Sequence, residues 1–245
     1  MDGAHALTKR LNEAERDQSF APVPIRHAAS IIIIDPDGPR VLMGRRSHKH
    51  VFMPGQFVFP GGRLDAGDMA ARVGGRYRSQ TLARLTAKGG RRMTPALARG
   101  FGVCAIREAY EETGLLIGRR GGPLPRGADF EGFASRGISL DLSPLSFIAR
   151  AITPPRRPRR FDTRFFAVQR SAVVAEDPSR LSQDAELEAI DWLTLPQARQ
   201  KDLPAITVTV LEELEERLRT DGAFVTDPPV PYYRMRGGGF VRDVL

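Results

Sequence analysis

Three glutamates, Glu108, Glu111 and Glu112, stand at i, i+3 and i+4 within Arg107-Glu-Ala-Tyr-Glu-Glu-Thr-Gly-Leu115. On a helix that spacing puts the three carboxylates on one face. Like charges so close repel one another, and the second half of a helix is a poor place for anions. The cluster makes sense when something positive sits among its members. Hard carboxylate oxygens suit Mg2+ or Mn2+, which keep some waters and also take phosphate oxygens as ligands. Such ions polarise a diphosphate, acidify a bound water and stabilise charge on a leaving phosphate. Arg107, four residues before Glu111, can hold that carboxylate in place. Taken alone, the run favours a solvated acidic helix face.

A second stretch upstream tips the balance: Phe57-Val-Phe-Pro-Gly-Gly-Arg-Leu-Asp-Ala-Gly-Asp68. Pro60-Gly61-Gly62 lets the backbone turn closely beside a metal, with a free carbonyl such as that of Gly61 as a ligand. The two stretches together resemble the Nudix box, Gly-x5-Glu-x7-Arg-Glu-apolar-x-Glu-Glu-x-Gly-apolar, the signature of the Nudix hydrolases. Gly62 takes the first position and Asp68 the Glu position, followed by Arg107, Glu108, Glu111, Glu112, Gly114 and Leu115. Position 68 is one methylene shorter than the pattern. The spacer has become Met69 to Ile106, an insertion of roughly thirty residues over the motif. Such a split box resembles the coenzyme A diphosphatase-like branch of the family.

The resemblance implies an α/β fold, an α/β/α sandwich with a mixed sheet, the box forming loop–helix–loop with a helical insertion. It implies metal-dependent hydrolysis of a nucleoside diphosphate linked to another group. Glu108, Glu111 and Glu112 would bind Mg2+ or Mn2+, with Asp68 assisting directly or through water and Gly61 adding its carbonyl. Leu42 to Gly62 resembles the element that marks coenzyme A-cleaving Nudix enzymes, matching at Leu42, Arg46, Ser47, Gly55 and Phe59 to Gly62. Val51 stands where a second Arg belongs, removing a planar donor suited to phosphate. His48, Lys49 and His50 either supply that charge or form a solvated basic loop. Ile152 to Phe166 resembles a hairpin of the same branch. Its Arg159 and Arg160, with Arg46 and Arg63, are candidates to cradle phosphate. Glu186 is the candidate general base, expected to share one strand face with Glu188. The substrate implied is coenzyme A or an acyl derivative. The alternatives are ADP-ribose, NADH or a nucleotide sugar, and a catalytically silent nucleotide- or RNA-binding module.

These groups need a scaffold, and 245 residues are enough to bury a substantial core. The reading is one Nudix domain over 25–222, with the insertion at about 69–99, an N-terminal arm or short helix over 1–24 and a tail over 223–245. Strands are predicted at Ala28 to Ile34, Arg40 to Gly44, Leu145 to Ile152, Arg160 to Val168 and Ala185 to Leu193. Thr94-Pro95 predicts the start of the glutamate-bearing helix, although Gly100 and Gly102 argue for a start near Phe101. Gly114 predicts its end. Val210, Leu211 and Leu214 form the inward stripe of a helix over Ile206 to Leu218. The insertion is expected to cover the site or to contribute to a homodimer, and the tail to be extended, packing on a partner or lidding the site.

The net charge of +8 attracts nucleic acid or a small phosphorylated nucleotide alike. No nucleic-acid module is visible, so the small substrate is favoured. The single cysteine, Cys104, excludes an intramolecular disulfide and reads as a small buried residue in a reducing compartment. The longest apolar run, Ala28 to Ile34, is too short to span a membrane, and no signal-peptide pattern is seen, so the expected location is cytoplasmic.

Overall fold

The structure, a computed structural model, describes residues 2–14, 19–35, 37–48, 54–90, 93–181, 186–222, 224 and 226–245. In order the elements are α1 (Asp2–Glu13), β1 (Ile25–Asp35), β2 (Arg40–Arg46), β3 (Phe57–Val58), β4 (Gly61–Arg63), α2 (Ala66–Ala70), β5 (Val73–Gly75), α3 (Ser79–Thr86), α4 (Pro95–Thr113), β6 (Leu115–Ile117) and β7 (Arg119–Arg120). There follow α5 (Glu131–Ala134), β8 (Ile138–Asp141), β9 (Ser146–Ile152), β10 (Arg160–Gln169), β11 (Val173–Glu176), β12 (Leu187–Thr194), α6 (Leu195–Arg199), α7 (Ala205–Asp221), β13 (Pro231–Arg236) and β14 (Gly239–Val244).

From Ala28 to Ile34, β1 is apolar but for Ser30, and both of its faces are covered there. Side chains alternate along a strand, so Ile31 and Ile33 enter one core with α4 while Ile32 and Ile34 enter the other with α7. All four are at most 1% exposed, each contributing about 1.5–3 kcal/mol of burial. The main sheet runs β12-β2-β1-β10-β9-β13-β14, with β3 added to β2 and β4 to β1. β1 pairs with β10 in parallel and β9 with β13 in parallel, while the other pairings in this sheet are antiparallel. The expected mixed sheet between helical layers is what the chain forms.

α4 begins where Thr94 and Pro95 predict: the Thr94 hydroxyl accepts from the Leu97 amide at 3.1 Å. It ends at Gly114, whose φ of +73° is the left-handed cap favouring glycine. Gly100 and Gly102 do not delay its start. They are slots for the insertion: a Cβ on Gly102 would lie 2.2 Å from the Tyr77 hydroxyl, and one on Gly100 2.9 Å from the Met69 Cγ. Close packing therefore outweighs the weak helix propensity of glycine.

The insertion leaves from the end of α2 and adds β5 and α3, and β5 joins β8 and β7 in a separate small sheet. Arg78 fastens it to the chain's end, donating to the Phe224 carbonyl at 2.5 Å, the Ser146 hydroxyl at 2.9 Å and Asp227 at 2.9 Å. The tail is not merely extended. β13 and β14 form a hairpin that lengthens the main sheet, because Tyr232 and Tyr233 bury themselves beside β9. Among the described residues no helix is long and apolar enough to cross a membrane.

Candidate functional site

The second half of α4 carries Arg107, Glu108, Glu111 and Glu112, and the turn from β3 through β4 lies against it. Gly62 is needed there, since a Cβ would come within 2.3 Å of a Glu108 oxygen. The Pro60 carbonyl accepts from the Ile31 amide at 2.9 Å and from the Ser30 hydroxyl at 2.9 Å, pinning the turn to β1. The Gly61 amide then donates to Glu112 at 3.0 Å.

Arg107 is the hub. Its Nε and Nη2 donate to the two oxygens of Asp68 at 2.8 and 3.0 Å, and its Nη1 donates to Glu108 and Glu111, each at 2.8 Å. Nη2 also reaches the Arg63 carbonyl at 3.1 Å. Burial favours the neutral guanidine, but the bond to Asp68 and the charge of Glu108 more than offset it and hold the cation. Asp68 is fully buried behind Arg107, with one oxygen also taken by the Asp65 amide at 2.9 Å. It orients Arg107 and does not line the cleft, whereas the expectation was that it assists a metal directly or through water. The physical reason is that a short carboxylate facing a planar guanidinium makes the two parallel bonds.

The three glutamates are short of positive charge. Burial, then the charges of Glu111 and Glu186, push Glu108 up to about 7 against the pull of Arg107. Glu112 is driven well above the usual range by burial and by Glu108 and Glu186, opposed by the Gly61 amide and Arg46. Glu111 is also raised, chiefly by burial. Among the described residues no three His, Cys, Asp or Glu side chains are gathered as a ready-made metal cage. Arg107 occupies oxygens of Glu108 and Glu111 that a cation would take. The donor chemistry nonetheless suits a hard divalent ion: buried carboxylate oxygens whose neighbours leave negative charge uncompensated.

Glu186 comes to this site from the turn before β12. Its carboxylate accepts from Arg46 at 2.5 Å, and its amide neighbourhood is fixed by Ser47, whose N–H donates to the Glu186 carbonyl at 3.1 Å. The expected shared face with Glu188 does not form. A bulge between Leu187 and Ala189 separates them, so Glu186 pairs with Arg46 while Glu188 pairs with Arg45, its neighbour on β2.

A cleft of about 540 Å³ opens beside these groups, lined by Glu108, Glu186, Arg46, Gly61, Gly62 and Arg63 together with residues of the β9–β10 hairpin, α1, α7 and β14. Arg159 lines it and Arg160 does not: the Arg160 Nε donates to the Thr153 carbonyl at 3.2 Å. Alternation explains the split, since Arg159, Phe161, Thr163 and Phe165 point into the cleft and the residues between them point away. Arg157 also lines it, from the bend before β10, where strand alternation gives no signal. The Arg46 Nε is buried without a hydrogen-bond partner. Among the described residues none of the lining comes from the insertion, which packs on α4; those residues do not form the expected cover over the site. Cys104 is buried, its thiol raised by burial and by Asp68 and Glu108, and it sits 3.7 Å from the Gly62 carbonyl as a packing residue. His48 is exposed and packs on Gly55, whereas Lys49, His50 and Val51 lie outside the described residues.

No family-level sequence profile matches the chain. A Caenorhabditis elegans protein named as a nudix hydrolase is 27% identical over 180 residues, covering 69% of this chain and 51% of that protein. An acyl-coenzyme A diphosphatase of Xenopus laevis is 33% identical over 96 residues, covering 31% of this chain and 25% of that protein. The chain thus spans about half of the first of these relatives and a quarter of the second. The crystal structure of a NUDIX hydrolase from Alicyclobacillus acidocaldarius aligns with a TM-score of 0.60 and 29% identity, over 78% of this chain and 91% of that one. With the two halves of the acidic motif brought together around α4 and a mixed sheet behind them, the chain is similar in sequence and in fold to Nudix hydrolases.

Proposed function

We propose that the chain is a metal-dependent diphosphatase that hydrolyses a nucleoside diphosphate derivative, with coenzyme A or an acyl-coenzyme A as the favoured substrate. The products would be 3′-phosphoadenosine 5′-phosphate and 4′-phosphopantetheine or its acyl form. The observation that carries the reaction class is the cluster of buried, charge-starved glutamates at the mouth of an arginine-lined cleft. The partial match to the Xenopus laevis acyl-coenzyme A diphosphatase supports the substrate.

Glu108, Glu111 and Glu112 would hold Mg2+ or Mn2+, with Gly61 offering its carbonyl. A divalent ion supplies Lewis-acid neutralisation of phosphate oxygens and acidification of water in such a site. Arg107 locks Glu108 and Glu111 in their rotamers and is itself locked by Asp68. Arg46, Arg63, Arg157 and Arg159 bind the phosphates. Arriving phosphate competes with Glu186 for Arg46, which frees the Glu186 carboxylate to take a proton from the attacking water. The water oxygen bonds to phosphorus as the bridging P–O bond breaks, and the leaving phosphate departs with the bridging oxygen. Val51, in place of an expected Arg, supports a second reading in which the same reaction acts on ADP-ribose, NADH or a nucleotide sugar.

The test is a mass-spectrometric product assay with Mg2+ or Mn2+ on coenzyme A, acetyl-coenzyme A, NADH, ADP-ribose and capped RNA, with Glu111→Gln and Glu112→Gln alongside. Selective release of 4′-phosphopantetheine species, abolished in both variants, is expected. Cleavage of ADP-ribose or NADH alone would keep the reaction and overturn the substrate. Binding without any turnover would replace the enzyme by a silent nucleotide-binding module.

A further inference from the structure

The cleft changes character along its length. Glu186 and Arg46 stand by β12 and β2, at one edge of the main sheet, with Glu108 of α4 over β4 beside them, whereas β14 is the strand at the other edge. Between them the lining becomes apolar. Val58, Phe161, Leu203, Ile206 and Phe240 are only half-buried although they face a concavity. Half-buried apolar side chains in a concave surface gain by covering with hydrocarbon, about 25 cal/mol per Å² removed from water.

The outer wall of this part is built from the two ends of the described chain. The Phe240 amide donates to the Asn12 Oδ1 at 2.7 Å, and the Asn12 Nδ2 reaches back to the Phe240 carbonyl at 3.5 Å. The Asn12 side chain thereby mimics one residue of a neighbouring strand, clasping α1 to the free edge of β14. Arg10 adds an ion pair to Glu212 of α7 at 2.5 Å. Between those two ties sits Leu11, 3% exposed, which lines the cleft together with Phe240.

Resting on the reaction proposed above, we infer that the Asn12–Phe240 clasp is the specificity device of the cleft. It positions Leu11 and Phe240 as an apolar wall for a hydrocarbon arm carried on the diphosphate substrate, so that an acylated substrate is bound in preference to the unacylated one. The place of Glu108 and Glu186 fixes the direction of binding. The diphosphate goes to Arg46, Arg63, Arg157 and Arg159, and the hydrocarbon arm runs toward α1 and β14. Asn12 touches no substrate in this arrangement; it is a positioning residue acting through Leu11 and Phe240.

Steady-state kinetics on coenzyme A and its acetyl, hexanoyl and dodecanoyl thioesters tests this. In the wild type KM falls as the acyl chain lengthens. Asn12→Ala and Phe240→Ala raise KM for the dodecanoyl thioester about tenfold, which is about 1.4 kcal/mol. The rise shrinks with shorter chains and is least for coenzyme A, with kcat following the wild type throughout the Asn12→Ala series. Asn12→Asp, which keeps the acceptor for the Phe240 amide, restores most of the chain-length dependence. A wild type indifferent to chain length overturns the proposal, as does an Asn12→Ala enzyme in which all four substrates lose the same factor or lose it in kcat. If the wild type cleaves none of the four, the reaction assigned to the site fails separately. The clasp is then judged by calorimetric binding of the same ladder in EDTA. Affinity that grows with chain length and is flattened by Asn12→Ala supports it, and identical ladders in both proteins overturn it.

Discussion

Asp68, Arg107 and the three glutamates form one buried electrostatic unit whose members have opposite effects on stability. Arg107 and Asp68 are each at most 6% exposed and satisfy one another through two parallel bonds. Asp68→Asn weakens the two parallel bonds of a buried guanidinium that keeps Glu108 and Glu111, so a loss of about 1–3 kcal/mol is expected in urea unfolding. Glu112 behaves in the reverse sense. Its folded-state proton affinity is raised, so above the ordinary glutamate range its charge destabilises the fold, and protonation relieves this as pH falls. Glu112→Gln is therefore expected to raise the urea midpoint of the metal-free protein near neutral pH while lowering turnover by at least about tenfold. A variant that lost both stability and activity would show that Glu112 is a structural hydrogen-bond partner of Gly61 and nothing more. Charge held at a cost to stability is consistent with the cation-binding role proposed for Glu112.

Among the elements, β9 and β10 are joined by more than their ladder. Arg150 of β9 makes two bonds of 2.8 Å to Asp162 of β10, and Arg164, fully buried over the Phe101 ring, lies 2.9 Å from the same carboxylate. Burial raises the Asp162 proton affinity, but the Arg150 bonds and the charges of Arg164 and Arg150 outweigh it and leave it lowered. Such a group contributes stability that is present above its unfolded value and lost as pH falls through the folded one. The wild type is thus expected to lose stability as pH drops below the ordinary aspartate value of 3.8. Asp162→Asn, which strands two buried arginines, should cost about 3–5 kcal/mol at neutral pH and flatten that acid limb. Urea unfolding of both proteins between about pH 7 and about pH 2 reads this directly. An unchanged acid limb in the variant would mean that other carboxylates govern it.

The whole molecule carries a net charge of +8, and several of its arginines converge on the cleft. A field of this kind raises the local concentration of a polyanionic substrate and is screened by salt. The Debye length falls from about 10 Å at 0.1 M to about 3 Å at 1 M. Raising sodium chloride across that range is expected to increase KM several-fold with kcat little altered, and an Arg157→Ala, Arg159→Ala double variant should blunt the response. A salt effect confined to kcat would place the action of the field in the chemical step instead.

Which features were legible in the sequence follows from how local their causes are. The one-face spacing of Glu108, Glu111 and Glu112, the Thr94 cap, the Gly114 stop and the strand over Ala28 to Ile34 depend on neighbours within a few residues. The residues alone determine them. Tertiary structure decided what depends on chain segments far apart. It made Gly100 and Gly102 a seat for the insertion instead of a late helix start, and turned Asp68 onto Arg107. It separated Glu186 from Glu188 with a bulge and sent Arg157 and Arg159 into the cleft while Arg160 turned aside. The hairpin of β13 and β14 and its clasp to Asn12 join positions 228 apart in the chain. A strand pairing or a side-chain clasp over that distance leaves no local pattern, because each partner is an ordinary residue until the fold brings the other to it.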